Sequence, residues 1–392
     1  MESNGTTVTQ VDNSLRILIV APSLDILGGQ AVQAARLVER LSDEPELDVG
    51  FLAINPRLPG FLRKLQALKY VRTFVTSIAY IVSLLSRVRK YDVIHIFSAS
   101  YFSFLIAPTP AILIGKLYGK GLLLNYHSGE AEDHLQRWRR TALPTIRLVD
   151  EIVVPSEYLV RIFARFGLAA IPIYNLIETD RFHFRERRPL RPIFLSNRNF
   201  EAHYGVDKVL RAFALIQKRV REASLVVAGD GPERPSLEQL AHDLELRNTQ
   251  FTGRVTHDKV VDLYDSTDIF LNGSEIDNQP LSILEAFACG LPIVTTDAGG
   301  IPDMVTSEKT ALLAPMGDYK QLAESALRLL DDDGLAQRII EHGREECQKY
   351  QWSAVRDQWL IVYRRLARKE SESKRIAAEG LSQSEHKLPD RS

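Results

Sequence analysis

The stretch SEIDNQPLSILEAFACGLPIVTTDAGGIPD, residues 274–303, decides the fold. A strand is predicted to end at Asn272, and an irregular loop then leads to Pro280. Proline suits the first turn of a helix, because the N–H that it lacks has no partner there. The helix carries Glu285, and the β-branched run Pro292–Thr295 predicts another buried strand. Strand, loop, helix and strand in this order are typical of a parallel sheet covered by helices.

Two series of such units extend along the chain. The segment between them, 178–192, is rich in Arg and Pro and predicts a linker. The predicted fold class is therefore α/β, with two lobes whose parallel sheets face a cleft where such folds bind ligands. Strands are predicted at 16–21, 92–97, 122–126, 151–155 and 171–174 in the first lobe, and at 193–196, 225–228, 250–252, 269–272 and 292–295 in the second.

Four regions follow from this pattern. Residues 15–185 form the first lobe and residues 190–352 the second. Residues 353–368 form a closing helix. The last region, 369–392, is charged and polar without an apolar period, which predicts a disordered tail.

The composition is that of an ordinary folded protein, with 45% hydrophobic and 25% charged residues in 392. Its two cysteines are Cys289 and Cys347, and its first residues lack the basic and apolar regions of a signal peptide. We therefore expect a cytoplasmic protein without disulfides or a thiol-based metal site.

The net charge of −1 hides an uneven distribution of charge. No acidic residue lies between Asp48 and Asp92, whereas eight Arg or Lys residues do, and residues 74–86 are uncharged. Residues 51–91 could place a helix on an anionic membrane surface. They could equally form a solvated basic rim around a buried helix.

The uncharged stretch Val93–Gly115 is long enough to cross a bilayer of ~30 Å. His95 and the prolines at 108 and 110 indicate instead a buried strand, a loop and a helix of a soluble fold.

Two places in the sequence suit an anionic ligand. Gly28 and Gly29 lie between a strand and a helix start, where free N–H groups favour a phosphate, although glycine pairs also serve as simple turns. The full dinucleotide fingerprint is absent, since LGGQAVQAA lacks its third glycine. The second place is the helix start at Leu281, whose first N–H groups would also face an anion.

Glu285 is flanked by Leu284, Ala286 and Phe287, which predicts a carboxylate against an apolar wall. A buried carboxylate requires hydrogen-bond donors. Two ribose hydroxyls would supply them, and so would a capping or ion-pair contact within the fold.

Asp277, seven intervening residues and Glu285, followed by AFACGLPIVTTDAGGIPD, resemble the signature of family 4 glycosyltransferases. The second lobe resembles that family through SNRNFEAHYGVDKVLRAFA, LVVAGDGPE and FTGRVTHDKVVDLYDSTDIFLNGSE. The first lobe is similar more loosely, through RILIVAP, YDVIH and the loop from His127 to Glu130. The resemblance covers about residues 15 to 367.

The resemblance implies a GT-B fold with two Rossmann-like lobes. In that fold the second lobe holds most of the donor, and the first lobe holds the acceptor. The resemblance also implies a catalytic site of His127, Asp277 and Glu285, with Glu285 on the donor's ribose, Asp277 by the transferred sugar and His127 near the reacting carbon. The expected donor-binding residues are Gly28, Gly29, Arg198, Lys208, Gly253, Arg254, Asn278, Gln279, Pro280, Leu281, Ser282 and Glu285.

This chain departs from the family pattern at two positions. Asp277 replaces the first glutamate of the signature and is one methylene shorter. The usual Arg and Lys pair on the diphosphate becomes Arg198 and Tyr204, of which only Arg198 carries a charge. Lys208, one helical turn onward, could supply the missing charge.

The expected function is that of a hexosyltransferase that uses a UDP- or GDP-linked sugar, retains the anomeric configuration and needs no metal or other cofactor. The expected acceptor is a saccharide or a lipid-linked group, such as a precursor of a surface polysaccharide. No nucleic acid is expected as a partner, and the protein would be cytoplasmic, with residues 51–91 on the inner face of the membrane. The alternatives are a nucleotide-sugar epimerase, a phosphorylase, and a sugar-nucleotide binding protein without catalysis.

Overall fold

The computed structural model describes residues 14–25, 28–58, 60–68, 71–98, 100–256 and 259–385. The first lobe is a six-stranded parallel sheet with helices on both faces. Its elements are β1 (Leu15–Ala21), α1 (Gly29–Ser42), β2 (Leu47–Ala53), α2 (Val71–Arg87), β3 (Val93–Ser98), α3 (Tyr101–Ile106), α4 (Pro108–Leu117), β4 (Gly121–Tyr126), α5 (Ala131–Arg137), α6 (Arg139–Ile146), β5 (Glu151–Val154), α7 (Glu157–Arg165) and β6 (Ile171–Pro172). The strand order is β2-β1-β3-β4-β5-β6.

The second lobe repeats this architecture with another six-stranded parallel sheet. Its elements are β7 (Ile193–Asn197), α8 (Val206–Arg219), β8 (Ser224–Ala228), α9 (Arg234–Asp243), β9 (Thr249–Gly253), α10 (Val260–Ser266), β10 (Ile269–Leu271), α11 (Leu281–Cys289), β11 (Ile293–Thr296), α12 (Ile301–Met304), β12 (Leu312–Ala314), α13 (Tyr319–Asp331), α14 (Asp333–Cys347) and α15 (Trp352–Glu385). The strand order is β12-β11-β10-β7-β8-β9, and the predicted α/β class with two parallel sheets is confirmed.

Each sheet is buried on both faces, as a parallel sheet covered by helices must be. In β1, Leu18 and Val20 pack into one hydrophobic core, whereas Ile17 and Ile19 pack into the core on the opposite face. Such strands read as continuous apolar runs, which is why RILIVA predicts a strand from sequence.

Two strands, β2 and β12, are absent from the sequence prediction. β2 includes Asp48 and Gly50, which are unfavourable in strands. A Cβ at residue 50 would lie 2.0 Å from the hydroxyl of Tyr91, so a larger residue there would require the Tyr91 side chain to move. β12 has only three residues, too few for a periodic signal.

The segment 178–192 joins the lobes without a helix or strand. Arg187, 1% exposed, fixes it to the second lobe by donating hydrogen bonds to the carbonyl oxygens of Tyr264, Thr267 and Cys289. Burial lowers the pKa of Arg187 to about 10.

The last helix, α15, returns to the first lobe, where Trp359, Tyr363 and Leu366 pack into its core. The helix ends at Glu385, 17 residues beyond the predicted closing helix. The prediction of disorder is therefore wrong for residues 369–385, while 386–392 lie outside the described residues. A polar sequence with good helix formers can continue a helix once its packed part has nucleated it.

The stretch Val93–Gly115 forms β3, α3 and most of α4. The predicted strand and helix are confirmed, but the short helix α3 occupies much of the predicted loop. By length and composition alone, one stretch in the described residues, Val71–Lys90, is apolar enough to cross a membrane. This stretch contains α2, and only 17% of it is buried. The buried side of α2 presents Tyr80 and Leu84 to the core of the first lobe.

Candidate active site

The N-terminus of α11 lies at the centre of the candidate site. Pro280 is its N-cap residue, and its carbonyl oxygen accepts the N–H of Ile283 at 3.1 Å. The N–H groups of Leu281 and Ser282 precede that bond and have no acceptor within the helix. Almost every residue of α11 is buried, including Glu285 in its second turn. These free N–H groups and the helix dipole favour an anion at Leu281.

The turn at Gly28 and Gly29 faces this helix from the first lobe. Gly28 is the N-cap residue of α1, and a Cβ on Gly29 would lie 3.7 Å from Cδ1 of Leu281. The N-termini of α1 and α11 therefore approach each other across the cleft. Two positive helix ends at one place are suited to a group with more than one negative charge, such as a diphosphate.

Arg198 follows β7 and extends to Asp277. Its Nη2 donates a hydrogen bond of 2.5 Å to Oδ2 of Asp277, and its Nη1 lies 3.4 Å from Oγ of Ser282, in the first turn of α11. The ring of Tyr204 stacks on the guanidinium at 4.0 Å. Tyr204 thus orients Arg198 through a cation–π contact but adds no positive charge.

Lys208 is engaged elsewhere in the second lobe. Its Nζ lies 2.8 Å from Oδ2 of Asp207 and 3.4 Å from Oε1 of Glu275. These two carboxylates balance its charge in this structure, and a role for Lys208 at the diphosphate stays a prediction.

Glu285 accepts hydrogen bonds from protein groups at both carboxylate oxygens. The hydroxyl of Tyr264 donates to Oε2 at 2.9 Å, and Nη2 of Arg36 donates to Oε1 at 3.3 Å. Burial and the charge of Glu285 raise the pKa of Tyr264 well above its usual value, so its hydroxyl remains a donor. The donors that the buried position requires are therefore present in the fold.

Arg36 is a residue of the candidate site that the sequence analysis did not predict. It belongs to α1 in the first lobe, 249 residues from Glu285, and is 2% exposed. Its Nε donates to Glu178 at 3.1 Å and its Nη1 to the carbonyl oxygen of Leu176 at 3.3 Å. One buried guanidinium on α1 thus bonds Glu285 of the second lobe, Glu178 of the inter-lobe segment and the carbonyl oxygen of Leu176. No local sequence pattern predicts these contacts.

Gly299 and Gly300 explain the close packing beneath the Asp277 loop. A Cβ on Gly299 would lie 2.0 Å from the carbonyl oxygen of Asp277, and one on Gly300 would lie 2.3 Å from that of Asn278. Gly299 also has a φ of +53°, which favours glycine. The glycine pair therefore supports the loop that presents Asp277.

Asn278 and Gln279 bond to the first lobe. Oδ1 of Asn278 accepts a hydrogen bond from Ser156, and Oε1 of Gln279 accepts one of 2.7 Å from the backbone N–H of Asn175. The structure thus uses both side chains to join the lobes, although their backbone groups still lie between Asp277 and α11.

His127 follows β4 on the first-lobe side of the cleft. Its ring stacks on Phe97 at 5.1 Å, and Asn278 lies 3.5 Å from its carbonyl oxygen. Burial lowers the pKa of His127 to about 3, so the imidazole is neutral. Its Nε2 is buried and has no hydrogen-bond partner among the described residues, which leaves this atom available to a ligand.

Three buried histidines of the first lobe predict a loss of stability in mild acid. Burial lowers the pKa of His95 and His127 to about 3 and that of His134 to about 4, against 6.5 when exposed. The unfolded chain therefore binds more protons below pH 6.5, and stability falls as the pH drops toward these values. At pH 5.5 the expected loss is about 1.4 kcal/mol per histidine.

Calorimetric unfolding at pH 7.5 and 5.5 measures this loss. We expect a lower thermal midpoint at pH 5.5, with a smaller difference for His95→Gln. The control His242→Gln should leave the difference unchanged, because the His242 side chain is 84% exposed. Equal thermal midpoints at both pH values would contradict the inference that the three imidazole rings are buried in their neutral form.

Gly253 and Arg254 lie at the end of β9. Arg254 forms an ion pair with Asp230 at 3.4 Å, and the N–H of Gly229 donates to the carbonyl oxygen of Gly253. Gly229 in turn packs on the backbone of Arg198, where a Cβ would be 1.9 Å from the carbonyl oxygen. The ends of β8 and β9 are thus adjacent to Arg198 and within the candidate site.

A cavity of about 790 Å³ opens beside Asp277 on the first-lobe side. Gly129 belongs to its lining and packs on the backbone of Asp277, where a Cβ would lie 3.1 Å from the carbonyl carbon. A large open space thus adjoins the loop proposed for the transferred sugar. Its other lining residues are Tyr101, Glu130, Glu132, Asp133, Gln136, Arg137, Tyr158 and Ile276.

Groups of three or more His, Cys, Asp or Glu side chains that could hold a metal ion do not occur in the part of the chain that the structure describes. Cys289 and Cys347 are both buried and free, and burial raises the pKa of each thiol to about 12.

Comparison with known proteins identifies both lobes. The profile of the family described as "Glycosyltransferase Family 4" matches residues 27–181, and that of "Glycosyl transferases group 1" matches residues 178–346. The two profiles meet in the inter-lobe segment and together cover most of the chain.

Individual relatives agree with these profiles. Sulfoquinovosyl transferase SQD2 of Arabidopsis thaliana is 28% identical over 73% of this chain and 59% of its own length. A GDP-mannose-dependent alpha-(1-6)-phosphatidylinositol monomannoside mannosyltransferase of Mycobacterium tuberculosis is 30% identical over 56% of this chain and 60% of its own. The matches thus span about three fifths of these relatives.

The fold has solved counterparts as well. The structure of Anabaena HepE in complex with UDP-glucose superposes on this chain with a TM-score of 0.69 and 16% sequence identity. The match includes 91% of this chain and 100% of the HepE chain. This likeness confirms the predicted GT-B fold. With both lobes matched by their profiles, the chain belongs to the family 4, group 1 glycosyltransferases.

Proposed function

We propose that this chain transfers a sugar from a nucleoside diphosphate sugar to an acceptor hydroxyl. The observation that carries the proposal is buried Glu285 inside α11, whose N-terminus meets Arg198 and the turn at Gly28 and Gly29. A nucleoside diphosphate has the matching groups, since its ribose offers two hydroxyls to a carboxylate and its diphosphate offers an anion to guanidinium and helix N-termini. Membership of the family and the UDP-glucose bound by HepE support this donor class.

The donor would lie along the second lobe, with Glu285 on the ribose. Gly253 and Arg254 would lie beside the base, and Asp277 and His127 by the transferred sugar. The diphosphate would be held by Arg198 and by the backbone N–H groups of Gln279, Leu281 and Ser282, with Gly28 and Gly29 opposite. The N–H of Asn278 donates to Oδ1 of Asp277 at 3.0 Å, so Asn278 would help to fix the Asp277 loop.

The reaction exchanges one bond of the anomeric carbon for another. The bond to the diphosphate oxygen breaks, a bond to the acceptor oxygen forms, and the acceptor's proton passes to the departing diphosphate. We propose that the configuration is retained and that no bound metal takes part. Arg198 and the two helix N-termini would stabilise the charge that develops on the leaving group. Neutral His127 would offer Nε2 as a hydrogen-bonding atom at the sugar or the acceptor.

The acceptor would enter the cavity of about 790 Å³ beside Asp277. Its Tyr, Gln and carboxylate groups suit the hydroxyls of a saccharide. A lipid-linked saccharide fits both this lining and the basic composition of residues 51–91, which would draw the protein to the inner face of a membrane. The phosphatidylinositol-linked acceptor named for the mycobacterial relative supports a lipid-linked class.

Calorimetric titration with UDP-, GDP- and ADP-linked glucose tests the donor site. We expect one nucleotide to bind selectively, and Arg198→Ala to weaken it by about 10- to 100-fold, because a charge-assisted hydrogen bond contributes about 1.5–3 kcal/mol. Arg328→Ala, which removes an exposed arginine paired with Glu308 in the same lobe, is the control. Binding that is unchanged in Arg198→Ala would place the phosphate contact elsewhere.

Three further outcomes test the proposal. Transfer to an acceptor that continues in EDTA supports a reaction without a bound metal. Conversion of the donor to an isomer without acceptor would indicate an epimerase. The absence of binding to any nucleotide sugar would contradict the proposal.

A further inference from the structure

The solvent-facing side of α2 is apolar along its length. Phe74, Ile78, Val82 and Leu85 are spaced by four, four and three residues, so they share one face of the helix. All four are exposed, Phe74 by 69% and Val82 by 59%. Single exposed apolar residues are common on soluble proteins, but a continuous row along a helix marks an interaction surface.

The neighbouring helix α4 extends this row. Leu113 and Leu117 lie one turn apart on α4, and both are exposed, Leu117 by 74%. α2 packs against α4, and the hydroxyl of Tyr80 donates a hydrogen bond of 2.9 Å to the carbonyl oxygen of Ala107, at the start of α4. We call the surface formed by Phe74, Ile78, Val82, Leu85, Leu113 and Leu117 the two-helix apolar surface.

The charges around this surface have one sign. Between residues 49 and 129, Asp92 is the only acidic residue, and its carboxylate is paired with Arg16. The exposed basic residues described in the same region are Arg57, which pairs with Asp25, and Arg63, Lys64, Arg72, Arg89, Lys90 and Lys116. An apolar helix face with basic surroundings is the chemistry of a helix that lies in the interface of an anionic bilayer.

A second copy of this chain fits the surface less well. A two-fold dimer would bring each basic region next to its own copy, so like charges would repel across the interface. An anionic bilayer instead attracts those charges and accepts the apolar side chains.

We infer that the two-helix apolar surface inserts into the interface of an anionic lipid bilayer, with α2 and α4 lying along the membrane. α2 lies in the interface and does not cross the bilayer, because Tyr80 and Leu84 on its other side belong to the core of the first lobe. This contact differs in two ways from attraction of the basic segment 51–91 to a membrane. It includes α4, which lies outside that segment, and its apolar part is not screened by salt.

The same surface adjoins the acceptor side of the cleft. α3 begins with Tyr101, which lines the large cavity, and its next residue, Phe102, is 57% exposed. α3 then leads directly into α4. A bilayer against α2 and α4 would therefore lie close to the cavity in which we propose that the acceptor binds.

Flotation of the full chain with vesicles tests this inference. We expect binding to vesicles of phosphatidylcholine with about 30% phosphatidylglycerol, a charge density that attracts basic segments, and weak binding to pure phosphatidylcholine. The double variant Phe74→Ser/Val82→Ser should lower the partition coefficient at least about tenfold, because two large apolar side chains no longer leave water. Leu113→Ser/Leu117→Ser should act in the same direction.

The control is Ile361→Ser, which removes an exposed isoleucine from α15, at a distance in sequence from both helices. We expect it to bind vesicles like the parent chain. Circular dichroism and donor titration of each variant establish that the fold and the donor site are intact, so a failure here is separate from a failure of the proposed activity.

Two results would overturn the inference. One is an unchanged partition coefficient for both double variants. The other is a concentration-dependent dimer that the Phe74→Ser/Val82→Ser variant abolishes in the absence of lipid, which would assign the surface to a second copy. A partition that survives high salt in the parent chain but not in the variant would support insertion of the apolar side chains.

Discussion

Glu285→Gln is expected to lower kcat/KM for sugar transfer by at least about 100-fold while the chain remains folded. The substitution removes the negative charge that would accept the ribose hydroxyls, and two charge-assisted hydrogen bonds contribute about 3–6 kcal/mol together. Folding should tolerate it, because Arg36 keeps its bond to Glu178 and the amide has almost the shape of the carboxylate. Steady-state kinetics with a thermal midpoint for each protein measure both effects.

A ribose-specific readout separates donor binding from a merely structural role. The parent chain should bind the ribonucleotide diphosphate more tightly than its 2′-deoxy analogue, and Glu285→Gln should lose most of that difference. Glu308→Gln is the matched control, since Glu308 is an exposed carboxylate of the same lobe that pairs with Arg328. If Glu285→Gln kept both normal turnover and the preference for ribose, the assignment of Glu285 to the donor would be wrong.

Much of the fold could be predicted because its signals are local. The apolar run that becomes β1 and the Pro280 cap that becomes the start of α11 each depend on a few adjacent residues. Glu285 could be predicted as a buried carboxylate for the same reason, since its neighbours in the helix are apolar. The burial of α11 on all sides confirms that prediction.

Contacts between distant segments could not be predicted in this way. Asp277 and Gly299 are 22 residues apart, and only the fold shows that one supports the other. In α1, an arginine reads as a solvent-facing residue of an amphipathic helix, and the second lobe alone makes Arg36 a buried partner. The prediction of disorder for residues 369–385 failed for a related reason. Trp359 and Tyr363 pack against the first lobe, and the polar residues after them continue the same helix.

Arg36, a residue of the first lobe, bonds Glu285, the carboxylate that we assign to the donor. Its guanidinium bonds Glu285 on one side and Glu178 on the other, so both carboxylates keep their orientation through one cation. The inter-lobe segment contains Glu178, so Arg36 links this segment directly to Glu285. We therefore treat Arg36 as a positioning residue for the donor site.

Arg36→Met should destabilise the chain and weaken donor binding together. Breaking a buried ion pair on one side costs about 3–5 kcal/mol, because a desolvated charge loses its partner. The double variant Arg36→Met/Glu178→Gln should recover part of that loss, since one of the two facing carboxylates is then neutral. Arg36→Lys should keep part of the stability but not the full preference for ribose, because an ammonium lacks the planar fork that bonds both carboxylates.

Arg40→Met is the control on the same helix, one turn away. Arg40 pairs with Asp180 at 3.2 Å, but that carboxylate is 82% exposed, so the loss should be within about 1 kcal/mol. Denaturant unfolding and donor titration of the four variants distinguish two roles for Arg36. If it only stabilises the fold, Arg36→Met will unfold more easily but still prefer ribose over 2′-deoxyribose. If it positions Glu285, that preference will fall with the stability, and Glu178→Gln in the double variant will recover part of the stability without restoring the preference.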